Sequence, residues 1–347
     1  MNKASTAMSQ EIAVNGRPAM AGSPGIRRYA AELGSRLAAG GATIHSPPRR
    51  AASGPPGHLW EQVVLARRAR GAGLWNPGYS GPLRHPRQVI TIHDLAPLDR
   101  PGDFTPRYRA TVTRMQARLV EAGVTVATVS EFSRERIAAT YGINEGDIAL
   151  IPNGVGAAFR TTSWSPQDEA PRLLAVLGDL SRRKNVAGLM AAWAEVVAAR
   201  PEATLTIVGR PATRRVLTRD VPDPADNRGV EVVSDLTDTR LAELLAGAHC
   251  HVFCPHYEGF GLPALEAAAV GVPQVLADIP PLREIDPPRA TFVDPADPAE
   301  IAEAVVHTLD HPPAPASETG AGIAARYDWD RSAQLLVDLF GHRPELR

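Results

Sequence analysis

The chain has 347 residues, 44% of them hydrophobic and 22% charged, which is enough for about two globular domains with their own cores. Its two cysteines, Cys250 and Cys254, are too few for a disulfide framework, and no run of about 18 apolar residues could span a membrane. The first dozen residues also lack the layout of a signal peptide. We therefore expect a cytoplasmic protein rather than a secreted disulfide-rich or membrane-spanning one.

The net charge of −1 conceals an uneven distribution, since residues 1–150 carry +8 and the remainder carries −9. A basic first half fits an anionic acceptor or peripheral contact with the inner face of a membrane. It also fits ordinary solvated arginines, and both interpretations stay open. No charge run is long enough to predict a nucleic-acid-binding arm.

Short apolar runs alternate with helical patterns along the whole chain, which is typical of an α/β fold with parallel sheets. In the first half, the patterns predict strand 12–14, helix 26–37, strand 89–92, helix 107–122, strand 124–129, helix 131–141 and strand 148–151. In the second half, they predict strand 173–177, helix 185–199, strand 204–208, helix 239–246, strand 250–253, helix 263–269, strand 274–277 and a tail helix 328–340.

A polar stretch with Ser, Thr, Pro, Gln and Asp separates the two series of elements. We therefore predict a first domain over residues 1–160, a linker over 161–171 and a second domain over 172–326. The tail, residues 327–347, is expected to return to the first domain.

The segment from Tyr257 to Glu266 carries the most informative pattern. A predicted strand ends before it, two glycines free its backbone, and Pro263 begins a helix where the missing N–H does no harm. Amides at such a helix start bind anions, aided by the helix dipole, and here they belong to Gly259, Phe260, Gly261 and Leu262. Because carboxylates repel phosphate, we expect Glu258 and Glu266 to bind neutral hydroxyls. The pattern predicts a nucleotide sugar; the alternative is a capped helix with two incidental acids.

A second anion-binding element follows the predicted strand 173–177, in segment 178–185, which includes Arg182, Arg183 and Lys184. Asn185 suits the N-cap of the next helix. Ligands of open α/β folds bind beyond the carboxyl ends of the strands, where these cations would offset the charge of a diphosphate. Alone, such a loop is usually solvated surface; together with the glutamate segment it predicts a diphosphate site.

The glutamate segment resembles the Glu-x7-Glu motif of the retaining glycosyltransferases of family 4, which have the GT-B fold. In that α/β fold, two Rossmann-like, doubly wound domains face a central cleft. The resemblance covers nearly the whole chain, through segments in the family's order at residues 22–29, 91–95, 129–133, 151–155 and 183–185. The later segments are similar to those of polysaccharide mannosyltransferase-like group 1 members.

This resemblance implies an enzyme that moves a hexose from a nucleoside diphosphate sugar to an acceptor hydroxyl, with retention of configuration and without a metal or other cofactor. GDP-mannose would be preferred over UDP- and dTDP-sugars. The acceptor would be a glycan, a lipid-linked glycan or a small molecule, and not a nucleic acid. The departing diphosphate would accept the proton of the acceptor hydroxyl. The chain also lacks an obvious Asp-x-Asp pair beside a strand end, the usual metal clamp of the other major glycosyltransferase fold.

Roles for individual residues follow from the same resemblance. Glu258 would hold hydroxyls of the donor sugar and Glu266 those of the ribose. The amides of segment 259–262 would contact the sugar and the phosphate, while Arg183 and Lys184 would bind the diphosphate.

Two residues of the first domain would complete the site. Gly25 would let that domain approach the diphosphate closely, and His93 would lie near the donor sugar across the cleft. The chain departs from the family's pattern at Asp179, where many relatives have Arg, and at His256, where a small residue is common. The first domain is also somewhat short, which affects its acceptor-binding elements.

Other interpretations belong to different classes. Segment 259–264 fits Gly-x-Gly-x-x-Ala, with Asp278 nineteen residues after Gly259, as in NAD-dependent dehydrogenases, but such a fingerprint usually opens a domain. A metal site among His249, Cys250, His251, Cys254 and His256 is disfavoured, because alternate residues of a strand face opposite ways. A nucleotide-sugar epimerase or hydrolase of the same fold stays open.

Overall fold

The computed structural model describes residues 11–166, 170–211, 216, 223–313 and 318–342. Over these residues the strands are β1 Ile12–Asn15, β2 Thr43–His45, β3 Gly73–Asn76, β4 Gln88–Thr91, β5 Thr125–Thr128, β6 Ala149–Leu150, β7 Arg172–Leu180, β8 Thr204–Pro211, β9 Val230–Val233, β10 Cys250–Phe253, β11 Gln274–Ala277 and β12 Ala290–Val293. The α-helices of the first half are α1 Arg17–Ala21, α2 Pro24–Ala39, α3 Gly54–Trp60, α4 Ala66–Arg68, α5 Ala96–Asp99, α6 Pro106–Glu121, α7 Glu131–Tyr141 and α8 Ala157–Arg160. Those of the second half are α9 Val186–Ala199, α10 Asp238–Gly247, α11 Leu262–Val270, α12 Pro280–Ile285, α13 Pro298–Asp310, α14 Glu318–Arg326 and α15 Trp329–His342.

The strands form two parallel six-stranded sheets, in the orders β2-β1-β3-β4-β5-β6 and β12-β11-β10-β7-β8-β9. Helices connect most successive strands, since parallel strands need crossover connections, whereas β3 and β4 are joined by residues 77–87 without a helix. The strand order reverses between β1 and β3 in the first sheet and between β7 and β10 in the second. These are the switch points at which open α/β sheets bind ligands beyond the strand ends.

The switch points gather the predicted site segments. β7 leads into the basic segment 178–185 and β10 into the glutamate segment 257–266, so both lie at one edge of the second sheet. In the first sheet, β4 leads into His93 and Asp94.

The structure confirms the α/β, GT-B architecture with two doubly wound sheets. Helix 131–141 and strands 250–253 and 274–277 occur at their predicted bounds. Strand β7 is longer than predicted, because the chain bulges at Gly178, which has φ +75°, and then continues pairing with β8. The predictions name no strand at β2, β3, β9 or β12, which are short and carry little periodic signal.

The segment predicted as a linker lies against the second sheet's helices at Trp164. Its backbone N–H donates to Val270 O at 2.9 Å and its indole N–H to Ala248 O at 2.7 Å. Residues 167–169 of that segment lie outside the described residues.

The tail helix α15 packs against α2, beside the first sheet. The Ser332 hydroxyl donates to Pro152 O at 2.8 Å, and Asp330 pairs with Arg36 at 2.5 Å. Residues 343–347 of the predicted tail lie outside the described residues. None of the described helices has the length and apolar character needed to cross a membrane.

Candidate active site

The glutamate segment presents a row of free backbone amides. Among the described residues, no group accepts a hydrogen bond from the amides of Gly259, Phe260, Gly261 and Leu262. Gly261 has φ +106°, a left-handed conformation in which glycine is favoured, and Leu262 and Pro263 begin helix α11. The amides and the helix dipole together attract an anion. This arrangement is suited to a phosphate group.

Glu258 begins this segment and is held by the two cations predicted at the diphosphate. Its Oε1 lies 2.5 Å from Lys184 Nζ and 3.1 Å from an Arg183 terminal nitrogen. Lys184 also lies over the Phe253 ring, 5.0 Å from its centroid. Both cations donate to the same oxygen, and no described residue donates a hydrogen bond to Glu258 Oε2. That oxygen can accept a hydrogen bond from a ligand hydroxyl.

The basic segment is more buried than a solvated loop. Lys184 is only 7% exposed. Burial lowers the pKa of Arg183, but the carboxylates of Glu258, Asp179 and Asp94 outweigh burial and raise it, so Arg183 keeps its charge. Of the three cations of this loop, Lys184 is buried and Arg183 is half-buried, so only Arg182 is a solvated surface cation.

Three buried side-chain atoms of this segment have no hydrogen-bond partner within the described residues: Asp179 Oδ1, Ser181 Oγ and Arg183 Nε. Buried polar atoms are nearly always partnered in folded proteins. Asp179, which stands where many relatives have Arg, contacts Arg183 through its other oxygen at 3.5 Å. The segment therefore has hydrogen-bonding capacity that the described chain does not use.

Asn185 fixes the shape of the basic segment. It adopts a left-handed conformation (φ 57°), and its side-chain oxygen accepts from Gly188 N, as the predicted N-cap of α9. Its amide nitrogen donates to Cys254 O at 3.0 Å and Pro295 O at 2.7 Å. Asn185 thereby ties the basic segment to the end of β10, from which the glutamate segment begins.

Glu266 lies in the second turn of α11 and is 4% exposed. Its Oε1 lies 2.6 Å from Arg28 on helix α2, and Arg28 also pairs with Asp238. Burial raises the pKa of Glu266 to about 7, against the opposing effect of Arg28. No described residue donates a hydrogen bond to Glu266 Oε2, so this carboxylate, like Glu258, keeps one oxygen without a hydrogen-bond partner among the described residues.

His93 is buried between the rings of Tyr29 and Tyr79, whose centroids lie 4.8 and 6.0 Å from its own. Its Nε2 lies 2.9 Å from Pro77 O. Because a carbonyl only accepts, Nε2 carries the proton. Burial lowers the pKa of His93, so the ring is neutral near pH 7 and Nδ1 is an acceptor.

Gly259 lies at a tight contact between the two halves of the molecule. A Cβ there would lie 2.5 Å from His93 O and 2.8 Å from Asp94 Cβ. Its carbonyl accepts from Ser130 Oγ at 2.5 Å, and Ser133 Oγ lies 3.2 Å away. By contrast, a Cβ at Gly25 would meet nothing within 4 Å. Of these two glycines, only Gly259 has no room for a side chain.

The structure thus brings Glu258, Arg183 and Lys184 together beside the free amides. It places the His93 carbonyl next to Gly259 and pairs Glu266 with Arg28. Sequence reasoning missed Arg28, Asp94 and Tyr79 as site residues. Arg28 lies three residues after Gly25, and Asp94 directly follows His93, so both fall within quoted motifs.

The contacts also weigh against the other interpretations. Both oxygens of Asp278 accept from Arg283, at 2.7 and 2.8 Å, whereas a dinucleotide site would use them for ribose. His251 is fully buried, and its Nδ1 lies 3.0 Å from Gln274 Oε1. No group of three or more His, Cys, Asp or Glu among the described residues is placed to hold a metal.

Two family models match the chain. Residues 171–311 match that described as glycosyl transferases group 1, and residues 29–159 match glycosyltransferase family 4. Glycogen synthase of Mycobacterium tuberculosis is 29% identical over 257 residues, which cover 73% of this chain and 62% of that protein. The chain therefore spans about three fifths of that relative. The O-antigen chain mannosyltransferase RfbU of Salmonella typhimurium is 25% identical over 253 residues, covering 72% of this chain and 68% of RfbU.

Solved structures share the fold. Sucrose-phosphate synthase from Thermosynechococcus elongatus superposes with a TM-score of 0.72 at 20% identity, covering 96% of this chain and 98% of that one. Anabaena HepE, solved with UDP and glucose, superposes with a TM-score of 0.69 at 15% identity, covering 96% of this chain and 100% of that one.

Proposed function

We propose that this chain, a member of the family 4, group 1 glycosyltransferases, transfers a hexose from a nucleoside diphosphate sugar to an acceptor hydroxyl. Two models of that family together match most of its length. One observation carries the proposal: four free amides in segment 259–262 are flanked by Glu258 and Glu266, each with one free oxygen. A diphosphate fits the amides, and neutral hydroxyls on either side of it fit the two oxygens.

The hexose, diphosphate and ribose of the donor lie along the site in the order of these groups. Glu258 binds a hydroxyl of the hexose through Oε2, and the amides of 259–262 bind the diphosphate. Glu266 binds the ribose hydroxyls through Oε2. His93 accepts a hydrogen bond from the hexose through Nδ1, supported by its fixed tautomer.

Transfer proceeds with retention of configuration and without a metal. The acceptor oxygen forms its bond to the anomeric carbon on the face from which the diphosphate oxygen departs, and the hydroxyl proton passes to that oxygen. Lys184 and Arg183 stabilise the charge that develops on the leaving group, while the amides orient it. Burial of this cluster strengthens those interactions, because charges interact more strongly away from water.

A mannosyl donor is the first choice, because the relative RfbU is named a mannosyltransferase. GDP-mannose is then the donor to test before UDP- and dTDP-sugars. A glycan, a lipid-linked glycan or a small molecule accepts the hexose, and we place the reaction in the cytoplasm. The basic first half provides the surface for peripheral contact with an anionic membrane.

A thermal-shift screen with GDP, UDP, dTDP and ADP tests the nucleotide part of this proposal. A ligand at 100 times its Kd stabilises the native state by about 2.7 kcal/mol, which raises Tm measurably. We expect one nucleotide to dominate and the matching nucleotide hexose to be turned over with release of that diphosphate. Failure of all four to raise Tm contradicts the proposal, and release of free hexose without transfer to any acceptor favours a hydrolase.

A further inference from the structure

Asp94 stands beside the proposed donor site and has no role in the donor binding proposed above. Its Oδ1 accepts both of its recorded hydrogen bonds, from the Tyr79 hydroxyl at 3.1 Å and from Ala96 N at 3.0 Å. Across the described residues, Oδ2 has no partner, and the side chain is half-buried. Asp94 is therefore a fixed carboxylate with one oxygen available to a ligand.

Asp94 belongs to the first half of the molecule and lies next to Gly259 of the second half. Its Cβ lies where a side chain on Gly259 would collide, so it borders the segment that presents the free amides. Its charge also acts on Arg183, which contacts Glu258. The free oxygen of Asp94 is thus at the junction between the first sheet and the groups proposed to bind the leaving diphosphate.

Two tyrosines accompany Asp94. Tyr79 holds its Oδ1. Tyr108 packs against the cluster formed by Ala96, Phe104 and Tyr257, and Ala96 N donates to the same Asp94 oxygen. The Tyr108 ring stacks on Phe104, with centroids 5.8 Å apart and planes inclined by 16°. Tyr108 is half-buried, and its hydroxyl has no partner within the described parts of the chain. By contrast, the nearby Tyr257 hydroxyl is occupied, because it lies 3.0 Å from Asp99 Oδ2.

We propose that Asp94 and Tyr108 form the acceptor subsite, in which Asp94 Oδ2 accepts a hydrogen bond from a hydroxyl of a neutral sugar and the Tyr108 hydroxyl donates to another of its oxygens. Tyr79 is a positioning residue, since it acts through Asp94. This inference rests on the proposed glycosyl transfer and specifies the class of its acceptor.

The chemistry of the subsite selects a neutral polyol over an anion. A carboxylate with a free oxygen repels phosphate and carboxylate but accepts strongly from a hydroxyl. Burial, followed by the charge of Asp94, raises the pKa of Tyr108 to about 12, so its phenol remains a donor at neutral pH. The exposed part of the aromatic ring offers an apolar surface to the C–H face of a sugar. During transfer the acceptor hydroxyl loses its proton to the departing diphosphate, and Asp94 takes no part in that proton transfer.

Steady-state kinetics with Asp94→Asn and Tyr108→Phe tests the subsite, with methyl α-D-mannopyranoside and methyl α-D-glucopyranoside as acceptor probes. Asn keeps the two hydrogen bonds made by Oδ1 and replaces only Oδ2. Tyr141→Phe is the matched control, because Tyr141 lies at the end of α7, about 16 Å along the helix axis from Ser130. Its hydroxyl donates to Gln116 Oε1. The readouts are the acceptor KM, the donor KM and the hydrolysis of donor by water.

We expect Asp94→Asn to raise the acceptor KM at least tenfold and Tyr108→Phe to raise it several-fold, with the donor KM and donor hydrolysis within twofold of the unaltered chain. Tyr141→Phe should change none of them. If Asp94→Asn raises the donor KM as much as the acceptor KM, or leaves the acceptor KM unchanged, the assignment of Asp94 to the acceptor subsite is wrong. Donor hydrolysis by the unaltered chain without transfer to either hexoside overturns the neutral-sugar acceptor. The absence of both reactions would instead count against the proposed glycosyl transfer itself.

Discussion

Arg28 and Glu266 lie 238 positions apart in the sequence and form an ion pair of 2.6 Å between helix α2 of the first half and helix α11 of the second. Burial lowers the pKa of Arg28, but Glu266 and Asp238 outweigh it and raise that pKa, so the guanidinium stays charged. Arg28, a residue of the first half, therefore fixes the position of the Glu266 carboxylate, which we propose binds the ribose. With the ribose role proposed for Glu266, this ion pair would link nucleotide binding to contact between the halves.

The pKa of Glu266 leads to a pH dependence of nucleotide binding. Because burial raises this pKa to about 7, Glu266 is mostly neutral below pH 7 and ionised above it. A carboxylate accepts from ribose hydroxyls more strongly than a neutral acid, so affinity should rise as pH increases through 7. We expect the chain to bind its nucleoside diphosphate about tenfold more tightly than Glu266→Gln at pH 8, and equally at pH 6.

Calorimetric titrations of the nucleoside diphosphate between pH 6 and pH 8 measure the ratio of its affinity for the unaltered chain to its affinity for Glu266→Gln. Because titration of the nucleotide's own phosphate affects both proteins alike, the ratio cancels it. Glu243→Gln, on the exposed face of α10, is the matched control. A ratio that does not change with pH would show that Glu266 does not titrate in this range.

Lys184→Ala should lower kcat about 100-fold or more, because a contact to the leaving group is lost. Its burial and its ion pair with Glu258 mean that the variant should also lose some stability, although Arg183 still partners that carboxylate. Arg182→Ala removes the exposed neighbouring cation of the same loop and should leave kcat within a few-fold. Steady-state rates and Tm values of both variants test whether Lys184 contacts the leaving group. Comparable rates in the two variants would show that Lys184 does not act at the diphosphate.

Gly259→Ala should push the two halves apart. The added Cβ would lie 2.5 Å from His93 O, a backbone atom that cannot rotate away. Overpacking of this kind costs about 1–3 kcal/mol, so we expect a lower Tm together with a large loss of activity. Gly322→Ala on α14, where a Cβ meets nothing within 4 Å, should preserve both. A fully active Gly259→Ala enzyme would show that catalysis does not need this contact.

Activity should persist after removal of divalent metals, because Arg183, Lys184 and the amides of 259–262 already supply positive charge to the diphosphate. The chain's Asp328-Trp329-Asp330 has the spacing of a metal clamp, but both acids pair with arginines at the start of α15. Turnover should be unchanged in EDTA. Loss of turnover in EDTA that Mg²⁺ or Mn²⁺ restores would contradict a metal-independent mechanism.

Much of this arrangement could be predicted from the sequence, because local chemistry determines it. The glycines and Pro263 dictate a helix start with free amides, and apolar runs dictate buried parallel strands. The Arg28–Glu266 pair could not be predicted, since it depends on how two helices meet and Arg28 looks like any other arginine of the chain. The burial of Lys184 was likewise missed, because it results from the segment folding beneath Glu258.

The central claim is that Glu258 and Glu266 do separate tasks, one on the hexose and the other on the nucleoside. Calorimetric titration of the sugar-free nucleoside diphosphate into Glu258→Gln and Glu266→Ala tests it most directly. We predict nearly normal affinity for Glu258→Gln, whose kcat falls instead, and a loss of about 1–3 kcal/mol for Glu266→Ala. Equal losses in the two variants, or the reverse order, would mean that the donor lies in the opposite direction through the site.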